Sequence, residues 1–172
     1  MAGKNRTSRP APESAFAQAA RAAGLEPQSG KSAVESKYRE AVALTSGHKH
    51  TASIDTDAHF CKEEPNEPRW DYGLGLSTTA GEEFFLWVEP HPASSTGEVQ
   101  KMLDKLNWLK CKLKTAPFAE LLALEQSARP HTSVIYRWLA ATGDNRIPHN
   151  SKEAHKLALA GLSHPQRFVR LP

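Results

Sequence analysis

Asp71 and Glu89 are the residues of this chain whose types and spacing most directly suggest chemistry. Each bounds a run with strand character, Trp70–Thr78 and Glu83–Glu89, and Thr79, Ala80 and Gly81 between the runs read as a hairpin connection. A three-residue loop there sets Asp71 opposite Glu89 on one face of the sheet. Directly opposed carboxylates repel, so the pair calls for a cation or a shared proton. A hard divalent ion such as Mg²⁺ suits it, because that ion prefers oxygen ligands and keeps several waters for chemistry. Gly73 and Gly75 follow Asp71 on the same face and predict open space, as in a groove.

Two further constellations carry chemical potential. His48, His50, His59 and Cys61 form a zinc-compatible set if Asp55 and Asp57 flank a turn, for His48 then faces Cys61 and His50 faces His59. A single strand over Thr51–Phe60 separates them instead, leaving exposed histidines and a small buried cysteine, and the two readings exclude each other. The other constellation is Lys101, Lys105 and Lys112, with Trp108 among them, beside an apolar stripe of Val99, Met102, Leu103, Leu106, Leu109 and Leu113. Such a face is either simply solvated or a phosphate-contacting surface for DNA or RNA.

These groups need elements to hold them. The stripe predicts a helix over Thr96–Lys114, with Ser95 and Glu98 at capping-box spacing. Val34, Tyr38, Ala41 and Val42 recur with a helical period, which predicts a first core helix over Lys31–Thr45 ending near Gly47. Phe118–Gln126 and Ser151–Ala160 read as helices, and Thr132–Ala140, rich in Val, Ile, Tyr and Trp, as a strand. Residues 1–30 are rich in Ala, Pro, Ser and Gly and read as a flexible N-terminal arm with at most a short helix over Glu13–Ala23. Residues 31–172 then form a single α/β domain.

The order helix, strand, strand, strand, helix, strand, with Asp71 opening one strand and Glu89 closing the next, resembles the core of the PD-(D/E)XK nuclease superfamily, the restriction-endonuclease-like fold. The likeness spans roughly Lys31–Ala140 and rests on Arg69-Trp70-Asp71-Tyr72 and Trp87-Val88-Glu89-Pro90-His91. It implies a mixed central sheet flanked by helices, and an Mg²⁺ or Mn²⁺ ion on Asp71 and Glu89 that activates water against a scissile phosphate. His91 stands where that pattern has Lys. An imidazole there can orient water or accept a proton near neutral pH, and Lys101 or Lys105 on the following helix can supply the missing positive charge. The resemblance also makes a first-helix carboxylate, Glu35 ahead of Glu40, a possible further metal ligand. The implied activity is phosphodiester hydrolysis with Asp71, Glu89, His91, Lys101 and Lys105 as the catalytic set. Lys101, Lys105 and Lys112 would be the nucleic-acid contacts. The alternative is a catalytically silent descendant that binds nucleic acid or a protein partner.

Composition sets the outer bounds. The chain has 172 residues, 39% of them hydrophobic and 24% charged, which fits one ordinary core. A net charge of +3 is too small to argue for nucleic acid on its own. Basic Lys4, Arg6 and Arg9 and acidic Glu63, Glu64 and Glu67 are local clusters. Two cysteines, Cys61 and Cys111, offer no disulfide framework and point to a reducing, cytoplasmic setting. No apolar run suits a bilayer span or a secretory signal, so no membrane role is expected. No Gly-rich phosphate loop, nucleophile elbow or helical His-Glu-x-x-His pattern is present, and Cys111 has no organised base beside it.

Overall fold

The computed structural model describes residues 13–172. The basic cluster Lys4, Arg6 and Arg9 and the expected arm over residues 1–12 lie outside the described residues. In chain order the elements are α1 (Ala15–Ala22), β1 (Gln28–Ser29), α2 (Ser36–Arg39), β2 (Val42–Leu44), β3 (His48–Asp55), α3 (Thr56–Phe60), β4 (Tyr72–Thr78), β5 (Glu83–Ala93), α4 (Gly97–Leu113), α5 (Ala119–Ser127), β6 (Tyr136–Asn145), α6 (Lys152–Ala160) and β7 (Val169–Leu171). They build an α/β structure around a five-stranded mixed sheet of order β1-β3-β4-β5-β6, with β2 and β7 as a separate parallel pair. The meander β3-β4-β5 is antiparallel, and β6 returns parallel to β5 after α4 and α5. Parallel pairing requires such a crossover, since a tight turn can only reverse the chain.

The β4–β5 register is the one expected from the hairpin. Tyr72 lies opposite Val88 and Gly73 opposite Trp87, so continuing one residue brings Asp71 to Glu89. Alternation then gives the sheet two faces. On the odd-numbered face of β5, Phe85 meets Phe16 of α1 at 5.3 Å between ring centroids, Trp87 lies beside Glu125 of α5, and Glu89 meets Lys105 of α4. On the other face, the Ala33 N–H donates to the Ser53 hydroxyl at 2.9 Å and the Glu35 N–H to the Tyr72 hydroxyl at 3.4 Å.

Helix α4 carries out its sequence pattern. Val99, Met102, Leu106, Leu109 and Leu113 are buried at steps of three and four, and Leu103 packs at their margin. Its expected cap does not form: no side chain caps the helix start, and Glu98 turns to other partners described below.

Three expectations are corrected. Residues 13–30 are not an arm: Phe16, Ala17, Ala19, Ala20 and Leu25 are buried, Ser14 caps α1, and β1 pairs with β3. Small alanines let the helix approach the sheet closely, so burial here needs few large side chains. The predicted helix over Lys31–Thr45 is reduced to α2, because Val42, Ala43 and Leu44 pair with Val169, Arg170 and Leu171 instead. Gly73 and Gly75 leave no groove. A Cβ at Gly73 would meet Ile54 at 2.9 Å and one at Gly75 would meet Phe16 at 2.7 Å, so both glycines exist to admit packed neighbours.

Candidate functional site

Asp71 sits just before β4 and Glu89 lies within β5, and a backbone bond fixes their approach. The Asp71 N–H donates to Glu89 Oε2 at 2.7 Å. Lys105, reaching in from α4, closes the group: its ammonium donates to Asp71 Oδ1 at 3.3 Å and to Glu89 Oε1. Glu89 is fully buried, whereas the Asp71 and Lys105 side chains keep 23% and 18% of their surface exposed, so the group opens to solvent only past these two.

The electrostatics follow from this depth. Burial, and then the neighbouring Asp71, push the Glu89 carboxyl well above the ordinary glutamate range. Burial likewise raises Asp71, against the pull of Lys105. Burial works against the Lys105 charge, but Glu89 and Asp71 outweigh it and hold the ammonium above its usual value. Two carboxylates facing one ammonium leave one negative charge uncompensated when both are ionised. A proton or a second cation relieves it.

His91, two residues beyond Glu89, forms the adjoining group. Its Nε2 lies 2.8 Å from Glu98 Oε2, and Lys101 donates to Glu98 Oε1 at 3.1 Å. Burial lowers the imidazole pKa although Glu98 raises it, which keeps the ring neutral near pH 7. Bonds from His91 and Lys101 in turn hold Glu98 below the ordinary range. The backbone is pinned as well, since Trp138 Nε1 donates to His91 O at 2.9 Å. Glu98, which spacing alone assigned to a helix cap, is thus the residue that positions His91.

Of the sequence-predicted residues, Asp71, Glu89 and Lys105 come together, while His91 and Lys101 meet one another through Glu98 in a neighbouring group. Others do not. Glu35 pairs with exposed Lys37 at 2.8 Å, and Glu40 lies just beyond α2. Lys112 is bound to Glu64 with its ammonium 4.4 Å from the Phe60 ring centre, so its charge is held there and not with the Lys105 group. Trp108 is buried and donates to Glu64 Oε2 at 2.7 Å, which removes it as a stacking platform. The zinc set is not assembled. His48 and His50 lie opposite Thr78 and Leu76 on one continuous strand, while His59 and Cys61 fall on or just after α3 beyond its other end. Among the described residues no group of three or more His, Cys, Asp or Glu side chains is arranged to hold a metal ion.

Asp55 was read only as a turn residue, yet it caps α3 at 2.8 Å, and burial, with a contribution from Asp71, raises its carboxyl. The signal was the Asp-Thr-Asp run at the end of a strand pattern. The buried Glu125–Tyr136 bond, at 2.8 Å, gave no sequence signal because its partners belong to a helix and a strand 11 residues apart.

The chain matches no family model, no curated protein and no solved structure. Among the described residues no helix is long and apolar enough to cross a membrane.

Proposed function

We propose that the chain is a metal-dependent nuclease that hydrolyses phosphodiester bonds, on a restriction-endonuclease-like core. The observation that carries this reading is the convergence of Asp71 Oδ1 and Glu89 Oε1 on a single cationic point, now taken by the Lys105 ammonium. The succession of three antiparallel strands, a helical crossover and a parallel strand supports the resemblance, as does the position of both carboxylates at one end of the sheet.

The donor set fits a hard ion in kind. Asp71 and Glu89 would hold Mg²⁺ or Mn²⁺ through one oxygen each, with water completing the shell on the exposed Asp71 side, and Lys105 would swing aside on its flexible stem. When bound, the ion supplies charge stabilisation at the phosphate and a more acidic water. Hydrolysis joins the water oxygen to phosphorus and breaks one P–O ester bond; one water proton ends on the leaving oxygen and the other on the new phosphate group. Neutral His91, held by Glu98, would orient that water or relay its proton, and displaced Lys105 would face the phosphate.

A second reading rests on the same atoms. Lys105 satisfies both carboxylates and Glu89 has no exposed surface, as in a permanent ion triad within a silent, nucleic-acid-binding or protein-binding descendant. Thermal unfolding with and without Mg²⁺ or Mn²⁺ separates them. A ligand that binds only the folded state raises Tm, so the enzyme predicts a metal-dependent rise that Asp71→Asn abolishes, together with metal-dependent cleavage lost in Glu89→Gln. His91→Lys should retain or raise that cleavage. No shift and no cleavage with either metal would leave the silent triad.

A further inference from the structure

At the same end of the sheet, on the opposite face, lies a groove of about 500 Å³ whose walls include Lys37, Tyr38, Leu139, Gly143, Arg167 and Phe168. Its place follows from register. Glu89 lies opposite Trp138 and Pro90 opposite Leu139, so the Leu139 side chain faces away from the carboxylates while remaining one residue along β6 from them. No carboxylate lines the groove. The Lys37 ammonium stands 4.8 Å from the Tyr38 ring centre, and the Arg167 guanidinium 5.7 Å from that of Phe168. Arg167 packs over Gly143 and, among the described residues, makes no ion pair. Phe168 is 59% exposed, and with Leu159 it is one of two large apolar side chains left in solvent among the described residues.

We propose that this groove binds single-stranded nucleic acid, stacking a base on Phe168 and holding the adjoining phosphate with Arg167. Two aromatic rings beside two cations, Arg167 without an ion pair among the described residues and Lys37 paired with Glu35 at 2.8 Å, are the chemistry that grips a flexible polyanion carrying π faces. The single strand is selected by geometry. Groove and carboxylates lie on opposite faces, so a substrate engaging both must turn over the end of the sheet within a few residues' width. A duplex with a persistence length of about 150 base pairs resists that bend, whereas a single strand follows it. The inference rests on the nuclease reading for its consequence, delivery of a strand to Asp71 and Glu89, but not for its test.

Fluorescence anisotropy with oligo(dT) and oligo(U) of about twelve nucleotides, and with a blunt DNA duplex, measures binding in EDTA, where cleavage plays no part. Single strands should bind more tightly than duplex. Phe168→Ala should weaken them roughly tenfold and Phe168→Trp should restore them. Arg167→Gln should flatten the dependence of log K on log salt by about 0.7. Because Phe168 is exposed, an unchanged melting curve in Phe168→Ala separates lost stacking from lost folding. Phe168-dependent binding in a protein that cleaves nothing would uphold the groove and sink the nuclease. Equal single-strand affinity in wild type and Phe168→Ala, preference for duplex, or no nucleic-acid binding would overturn the groove, and cleavage retained alongside such a result would leave the carboxylate site standing.

Discussion

Opposed carboxylates are tolerated here because a third residue, remote in sequence, neutralises them. Removing one partner of a buried ion pair costs about 3–5 kcal/mol, since the other charge is left in a poor solvent. Lys105→Met should therefore destabilise the fold by about that amount, and adding Glu89→Gln should recover a large part of the loss in a double-mutant cycle. Urea unfolding checks both; a loss below about 1 kcal/mol in Lys105→Met would show that the ammonium does not hold the pair. His50 makes a different prediction. Its two ring nitrogens are buried without a hydrogen-bond partner among the described residues, and burial, aided by Lys31, lowers its pKa to about 4. The unfolded chain, with an ordinary value near 6.5, then binds the proton more readily between those limits. Stability should rise with pH from about 4 to about 6.5 and be lost as pH falls, by roughly 2 kcal/mol after allowance for partial exposure. Because other carboxylates titrate there too, the reading is the difference between wild type and His50→Leu, whose curve should be flatter over that window. At this scale the sequence carried Asp71 opposite Glu89, because hairpin register is local arithmetic. It did not carry the Glu98–His91 bond, since spacing describes a cap and a distant contact equally well.

Among the elements, α4 was legible because five buried positions repeat at the helical period, and nothing about the rest of the fold is needed to see them. Leu106→Ala should cost about 2–5 kcal/mol in chemical denaturation, an expectation that an effect of a few tenths would overturn. The short helix over Glu13–Ala23 was legible and is α1, but its docking into the core was not, because its only large apolar residue is Phe16 and alanine gives little periodic contrast. What reveals it is β4: Gly75 is the place where Phe16 enters. Gly75→Ala would set a methyl carbon 2.7 Å from Phe16 Cδ1 and from Thr51 Oγ1, and should cost about 1–3 kcal/mol. If Phe16 is the obstacle, Phe16→Leu in the Gly75→Ala background should cost less than Phe16→Leu alone, a non-additivity that equal costs would refute. The segment over Lys31–Thr45 failed for the opposite reason. Its period is helical, but Val42 and Leu44 are satisfied by β7, more than 120 residues away, and tertiary pairing overrides a weak local preference.

For the molecule as a whole, the α/β class was readable from the alternation of periods and the mixed sheet was expected only from the family resemblance, whereas the outer limits of the fold were not readable. Composition placed its edge at Gly30, yet α1 covers the sheet and β1 covers part of the edge of β3. Deleting residues 1–30 tests where the fold begins. The loss would expose Phe85 and Gly75 on one face, remove Phe16, Ala19, Ala20 and Leu25 from the core, and free the N–H and C=O groups of Ser53 and Ala52 at the strand edge. Burial of Phe16 and Leu25 alone is worth about 3–6 kcal/mol. At about 2–4 °C of Tm per kcal/mol for a chain of this size, the truncated protein should melt at least ~6 °C lower, with a strong tendency to aggregate through the uncovered strand. Calorimetry and light scattering on the truncated chain measure these two consequences separately. A melting temperature within 2 °C of the full chain's, on the order of 1 kcal/mol or less, would mean that the core closes without α1 and that the fold begins where composition placed it.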